Sequence, residues 1–283
     1  MAPVAFFIAS GYVLSVQYSK SGSLVRFYIR RYLRLTPLYA CVLVFLFFQQ
    51  ELTLKEVLYR VLYLDAFNSS LFLSDPYGIF WTIAIEFWCS LLIPVLVYSV
   101  SSNFKYFILS LTAIISLLGP YLLVLAGIIS QHAFKSILVG VFPFAVGVFF
   151  ARSAKNNTTK IVCLTGMILT CCLMIIFIFF GGQTNLKLLN PWWVVSLFVS
   201  SFIGYSHNKH TELKNNKTLL YLGTICYGIY LTHIPIYNLL DKFLERNIFL
   251  ISLLPVLMLS SLAYVLIEYP ITRIFKNKFN YNF

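Results

Sequence analysis

Ile79-Phe80-Trp81-Thr82-Ile83-Ala84-Ile85-Glu86-Phe87-Trp88 opens an apolar run that reaches Val100 with a single acid inside it. About 20 apolar residues in a helix cross the roughly 30 Å hydrocarbon core of a bilayer, and this run is long enough. Similar runs lie on both sides of it. They predict an all-α polytopic transmembrane bundle with nine spans, at about 3–18, 35–50, 79–100, 106–128, 137–151, 161–181, 191–206, 218–240 and 248–268. Composition agrees: of 283 residues 60% are hydrophobic and only 11% charged, and the mean hydropathy is +0.84. An ordinary soluble domain is nearer half apolar and carries about twice the charge. Residues 1–283 therefore read as one membrane domain without a soluble appendage.

The net charge is +12. On a soluble chain such an excess would suggest nucleic acid, but here the bases fall between apolar runs, as the positive-inside bias requires. Fifteen of the 21 bases fall on one side of the nine spans and six on the other. The richer side, with Arg26, Arg30, Arg31, Arg34, Arg152 and Arg273, is taken as cytoplasmic, which puts the carboxyl end inside and Met1 outside. The six cysteines (Cys41, Cys89, Cys163, Cys171, Cys172, Cys226) all lie in apolar stretches and form no disulfide framework. Between spans, 51–78 holds Leu54, Val57, Leu58, Val61 and Leu62 at helical spacing, which suits an amphipathic helix in the interface. Gly181-Gly182 reads as a loop.

Ionisable groups inside a membrane are costly and are candidates for function. Glu86 is the acid deepest in an apolar run; the other eight, Glu268 among them, fall in loops or at span ends. Its carboxyl is either protonated and bonded to a neighbouring helix or serves a polar cavity. His233 falls inside Ile225-Cys226-Tyr227-Gly228-Ile229-Tyr230-Leu231-Thr232-His233 and is either an interhelical hydrogen-bonder or part of the same cavity. His132, His207 and His210 lie in loops. Glu86 and His233 each sit seven residues from the outer end of their spans, about 10 Å deep at the helical rise. Arg30, Arg31 and Arg34 share a basic helical segment before Pro37, which permits a break at the mouth of the next span. These guanidiniums suit phosphate, or they form a positive-inside stop with lipid headgroup contacts.

Four patches, in order, resemble the acyltransferase-3 family of integral membrane acyltransferases, which O-acetylate bacterial surface polysaccharides. Phe6-Phe7-Ile8-Ala9-Ser10-Gly11-Tyr12 is similar to its Phe-Phe-x-x-Ser-Gly-Phe/Tyr segment. Arg31-Tyr32-Leu33-Arg34-Leu35-Thr36-Pro37-Leu38-Tyr39 is similar to its Arg-x-x-Arg-hydrophobic-x-Pro-x-Tyr signature. Trp81-Thr82-Ile83-Ala84-Ile85-Glu86 resembles Trp-Ser/Thr-Leu-x-x-Glu. Gly223-Thr224-Ile225-Cys226-Tyr227-Gly228-Ile229-Tyr230-Leu231-Thr232-His233 resembles Gly-x-x-Ser-Tyr-x-x-Tyr-Leu-x-His, with Cys226 where the family has Ser. Ile267-Glu268-Tyr269-Pro270 resembles the Glu-x-Pro after its last helix. The family has ten helices with both ends cytoplasmic, and its first helix carries a basic residue, ten others and a histidine regarded as catalytic. No such pattern precedes Phe6. Charge topology and motif order thus both lead to the expectation of a further helix before Met1.

The resemblance implies transfer of an acyl group, most often acetyl, from cytoplasmic acetyl-CoA to a hydroxyl of a surface glycan or lipid-linked saccharide, in a bacterial inner membrane and without metal. Arg31 and Arg34, with Arg30, would hold the donor's phosphates, and the pantetheine arm would reach through the bundle. Glu86 and His233 are the expected catalytic side chains, and Ser10, Gly11, Trp81 and Tyr230 the expected pocket supports. The sequence carries no P-loop, nucleophile elbow or dinucleotide fingerprint, and nucleic acid is not an expected partner. The main alternative is a proton-coupled transporter or flippase with Glu86 and His233 in a proton relay, although no inverted repeat is present. An inactive remnant of the acyltransferase is the third.

Overall fold

The computed structural model describes residues 2–67, 77–100, 105–125, 137–152, 217–241 and 248–278, with residues 161, 164, 165, 168 and 202. Among them every regular element is helical, so the chain is all-α. Of the spans expected at 161–181 and 191–206 only residues 161, 164, 165, 168 and 202 are described, all helical, and the loop residues His132, His207, His210, Gly181 and Gly182 lie outside the described residues. The helices are α1 (Ala2–Ser21), α2 (Leu24–Phe48), α3 (Leu54–Val61), α4 (Phe80–Leu91), α5 (Ile93–Val100), α6 (Lys105–Leu125), α7 (Ile137–Arg152), α8 (Lys217–Asp241), α9 (Ile248–Ala263) and α10 (Tyr269–Lys278). A 3-10 turn covers Leu64–Phe67 and a π-turn covers Tyr264–Glu268. Among the described residues, Leu24–Phe48 and Ile251–Phe275 are each long and apolar enough to cross a membrane singly.

Three departures from the expected spans have local causes. Helix α2 begins at Leu24 rather than 35, so the arginines belong to the spanning helix itself. No Gly or Pro interrupts Leu24–Arg34, and a continuous helix satisfies its own backbone groups where water is scarce. It also runs through Pro37 without the expected break. Second, the run 79–100 is two helices bent by 53°. Pro94 has no N–H to offer the Ser90 carbonyl and its ring crowds that oxygen, while Leu92 N–H tightens back onto Cys89 O at 3.1 Å. Third, the last helix runs past 268 to Lys278, which carries Glu268 inside the apolar candidate span.

The described residues form two compact units, Met1–Phe27 with Ile85–Thr211 and Tyr28–Ala84 with Glu212–Phe283. In the first, α1 packs on α7 with backbones nearly touching. A Cβ on Gly11 would sit 2.4 Å from the Phe144 carbonyl oxygen, and one on Gly147 would sit 2.1 Å from that of Ile8. This is close packing through small residues, the usual way membrane helices gain dispersion contact without a hydrophobic drive. Phe7 stacks obliquely on Phe144 at 5.8 Å. Helix α6 adds Ser116, whose hydroxyl donates to Leu138 O (2.6 Å) and accepts from Phe142 N–H (3.0 Å). Those two groups are natural i, i+4 partners, so Ser116 inserts into the ladder one residue before Pro143. Arg152, at the end of α7, reaches back to Ser15 Oγ at 3.1 Å and to the Ser19 hydroxyl.

In the second unit α8 lies along α9, with Gly228 facing Ser260 and Thr232 sharing a 3.1 Å hydrogen bond with the Ser260 hydroxyl. Tyr227 donates to the Leu35 carbonyl of α2 at 2.8 Å. Helix α3 starts at a capping box: Thr53 N–H donates to Glu56 Oε2 at 2.7 Å while Thr53 Oγ1 accepts from Glu56 N–H. Leu54, Leu58 and Leu62 are exposed, whereas Val57 and Arg60 are buried. The expected apolar stripe is thus split, with leucines outward and the guanidinium inward, the arrangement that suits lipid outside. Arg60 pairs with Asp65 at 3.5 Å, both fully buried, and its guanidinium lies 5.8 Å over the Phe80 ring. Tyr63, at φ 57°, shares a 3.0 Å hydrogen bond with Thr36 and stacks on Tyr39.

Candidate functional site

Every residue from Ile79 to Glu86 is buried. A helix apolar on all sides belongs in a protein interior, so burial around Glu86 follows from its neighbours. Within the first unit, Ser10 of α1 donates to Glu86 Oε1 at 2.9 Å, and Glu86 as a whole is 2% exposed. Gly11 follows Ser10 immediately, and its missing side chain is what admits the Phe144 backbone. The Ser-Gly pair therefore does two jobs: the glycine seats α1 on α7, and the serine presents its proton to Glu86. Burying a carboxyl costs several kcal/mol unless it is hydrogen-bonded, and this bond offsets part of that cost.

The remaining candidates belong to the second unit. Trp81 donates its indole N–H to Gly78 O at 3.0 Å, which ties the start of α4 to a glycine at φ 66°. Thr82 gives its hydroxyl to Ile79 O at 2.6 Å, and the Tyr230 hydroxyl is bonded to Thr82 Oγ1 and lies 3.4 Å from the same Ile79 O. His233 Nδ1 is 2.6 Å from Tyr230 O. A carbonyl only accepts, so Nδ1 carries the proton, and in the neutral ring Nε2 presents a lone pair. The Trp-Thr block and the Tyr-x-x-His block thus meet through Thr82 and Tyr230, with His233 one turn further on.

The arginines lie along α2. Arg31 is buried at 7% exposure, while Arg30 and Arg34 are half-buried, so none of the three is a free surface cation. Glu268 was expected at a span end; it is instead buried within the last apolar helix, at 6% exposure. A cavity of about 470 Å³ opens where α2 meets α3, lined by Phe47, Phe48, Gln50, Glu51, Leu52, Thr53 and Glu56, and none of the expected site residues lines it. At its edge Glu56, accepting from Thr53, is held below the usual carboxylate range.

A family model described as an acyltransferase domain (Acyl_transf_3) matches residues 3–273. No curated protein and no solved structure matches the chain.

Proposed function

The chain belongs to the acyltransferase-3 family and is an integral membrane acyltransferase, and from that premise we propose that it moves an acetyl group from cytoplasmic acetyl-CoA to a hydroxyl of a surface glycan or its lipid-linked precursor. The observation that carries this reading is the buried Glu86 carboxyl held by Ser10 at 2.9 Å. A positioned acceptor of hydrogen bonds in a dry site is what a sugar hydroxyl needs, because its own pKa is too high for unaided attack. In the proposed step the sugar oxygen bonds to the thioester carbonyl carbon and the C–S bond breaks. The hydroxyl proton goes to a base, and coenzyme A leaves as the thiol once its sulfur is protonated.

Each residue has a proposed part. Arg31 and Arg34, with Arg30 beside them, take the donor's phosphates, for which a planar permanently charged fork is better suited than lysine. Glu86 orients the acceptor hydroxyl or the base that deprotonates it. His233 presents Nε2 as a hydrogen-bond acceptor, and Ser10, Gly11, Trp81 and Tyr230 hold these groups in place. The proposed setting is a bacterial inner membrane with the carboxyl end cytoplasmic, as the bias of bases implies. Membrane lipid is the expected surround of the exposed leucines and phenylalanines.

The test is acyl transfer by purified protein in lipid nanodiscs, given radiolabelled acetyl-CoA and lipid-linked oligosaccharide. Label appearing as an alkali-labile ester on the saccharide, with coenzyme A released in equal amount, supports the proposal. Protein that neither consumes acetyl-CoA nor esterifies any saccharide in a panel overturns it.

A further inference from the structure

Helix α2 ends after Phe48 in a closed turn. Gln50 N–H bonds back to Phe47 O at 3.0 Å and Glu51 N–H to Leu46 O at 3.1 Å, the paired closure that ends many helices with one residue in the left-handed region. That residue is Gln50, at φ 62°. Glycine usually holds this place because a Cβ is crowded there, so a glutamine kept in it points to a role for the side chain. Gln50 lines the cavity of about 470 Å³ where α2 meets α3, and small-molecule sites span about 300–1,000 Å³. Arg34 lies 14 residues before Phe48 on the same helix, about 21 Å along its axis. The cavity is therefore at the end of α2 remote from the arginines.

Its lining has the chemistry of hydroxyl recognition. Phe47 and Phe48 stand edge to face with ring centroids 5.7 Å apart, and Phe48 is 77% exposed. The negative face of such a ring attracts the C–H edge of a ligand. Gln50 offers both a carbonyl and an NH2, and Glu51 a carboxylate; both residues are exposed. Glu56 is already fixed. Its Oε2 accepts from Thr53 N–H at 2.7 Å and from the Thr53 hydroxyl at 2.8 Å, which holds the carboxyl in its charged, accepting form.

The same lining excludes other occupants. Among the described lining residues two are acids and none is a base, so a phosphate, a uronic acid or a phospholipid headgroup meets only like charge. A divalent ion is not served either: among the described residues no three His, Cys, Asp or Glu side chains group to hold one. We propose that this cavity is a saccharide subsite, in which Gln50, Glu51 and Glu56 hydrogen-bond the hydroxyls of an uncharged sugar unit while Phe48 takes its apolar ring face. The proposal rests on the acyl-transfer reading above and names the class of acceptor it uses, a glycan with a neutral unit at this position. The subsite binds and touches no reacting atom.

The experiment titrates protein in nanodiscs with uncharged tetrasaccharides of glucose, galactose, mannose, rhamnose and N-acetylglucosamine, and with tetragalacturonate. Wild type is expected to bind at least one uncharged member and to bind tetragalacturonate at least about tenfold more weakly, since uncompensated like charge is costly. Gln50→Gly removes the amide and relieves the backbone, so its unfolding midpoint should equal or exceed that of wild type while saccharide affinity falls about fivefold, the worth of one hydrogen bond. Phe48→Leu, at an exposed position, should fold normally and weaken binding similarly. In the transfer assay both variants should raise the saccharide KM by the same factor, with kcat and the acetyl-CoA KM within about twofold of wild type. Wild-type saccharide affinity in folded Gln50→Gly and Phe48→Leu, tetragalacturonate bound as well as the neutral sugars, or no binding by any uncharged member overturns the subsite. Wild-type protein that binds saccharide, loses it in Gln50→Gly and yet consumes no acetyl-CoA supports the subsite and overturns the acyl-transfer reading, so the two failures are distinguishable.

Discussion

Ser10 and Glu86 are joined by a 2.9 Å hydrogen bond although 76 residues separate them in the chain. Glu86 sits on a helix buried on every side through its first two turns, and Ser10 on a helix that touches α7 backbone to backbone. The bond therefore depends on α1 being seated correctly. Ser10→Ala leaves a buried carboxyl oxygen without this donor, at a cost of about 1–3 kcal/mol. Glu86→Gln keeps an acceptor for Ser10 and should insert and fold like wild type. Thermal unfolding in detergent should show the loss for Ser10→Ala and not for Glu86→Gln, while acyl transfer should fall at least tenfold in Glu86→Gln. Normal turnover in that variant removes Glu86 from the mechanism.

The seating of α1 makes its own prediction. Gly147→Ala places a methyl 2.1 Å from the Ile8 carbonyl oxygen and 2.6 Å from Tyr12 N, backbone atoms that cannot swing aside. The helices must part, at a cost of at least the about 1–3 kcal/mol of ordinary overpacking. Gly223→Ala is the control. Nothing lies within 4 Å of its added methyl, and alanine in a helix is favoured over glycine by about 0.5–1 kcal/mol. Folded yield and unfolding midpoint should separate the two clearly.

Arg60 and Asp65 should behave as a unit. Removing one partner of a fully buried pair strands the other and costs about 3–5 kcal/mol, whereas an apolar replacement of both is often neutral. Arg60→Met and Asp65→Leu are each expected to lower the unfolding midpoint sharply, and the double variant to recover most of it. A double variant as unstable as the sum of its parents would show that the pair is not energetically coupled.

His233 offers a chemical discrimination. With Nδ1–H committed to Tyr230 O, only Nε2 is left to serve as acceptor. His233→Gln can place an amide oxygen near Nε2, while His233→Asn can mimic the Nδ1 donor alone. If Nε2 accepts a hydrogen bond from substrate, His233→Gln should keep measurable transfer and His233→Asn should lose about 10²-fold, the low end of a typical acid–base contribution. Equal activity in both variants and wild type would assign His233 a packing role.

Several features of the site are legible in the sequence. The buried carboxyl of Glu86, the arginines of α2 and the Tyr-x-x-His block could be picked out because a charge or hydroxyl amid apolar residues is costly and therefore conspicuous. Glu268 was seen only as part of a motif at a span end, since its depth depends on a helix that continues through Pro270. Arg60 escaped too. A basic residue between apolar runs looks solvated, and nothing local announces that Asp65 folds back upon it.

Run length and composition were enough to determine a helical membrane protein, because a backbone in hydrocarbon must satisfy its own N–H and C=O groups and a helix does so within one segment. Only the tertiary structure decided which side of each helix turns inward. That choice is made where ladders are faulted or backbones meet: at Pro94, at the π-turn before Pro270, and where Gly11 and Gly147 let α1 and α7 touch. The π-turn shifts register by one residue, a change invisible in an apolar run and sufficient to bury the Glu268 carboxyl.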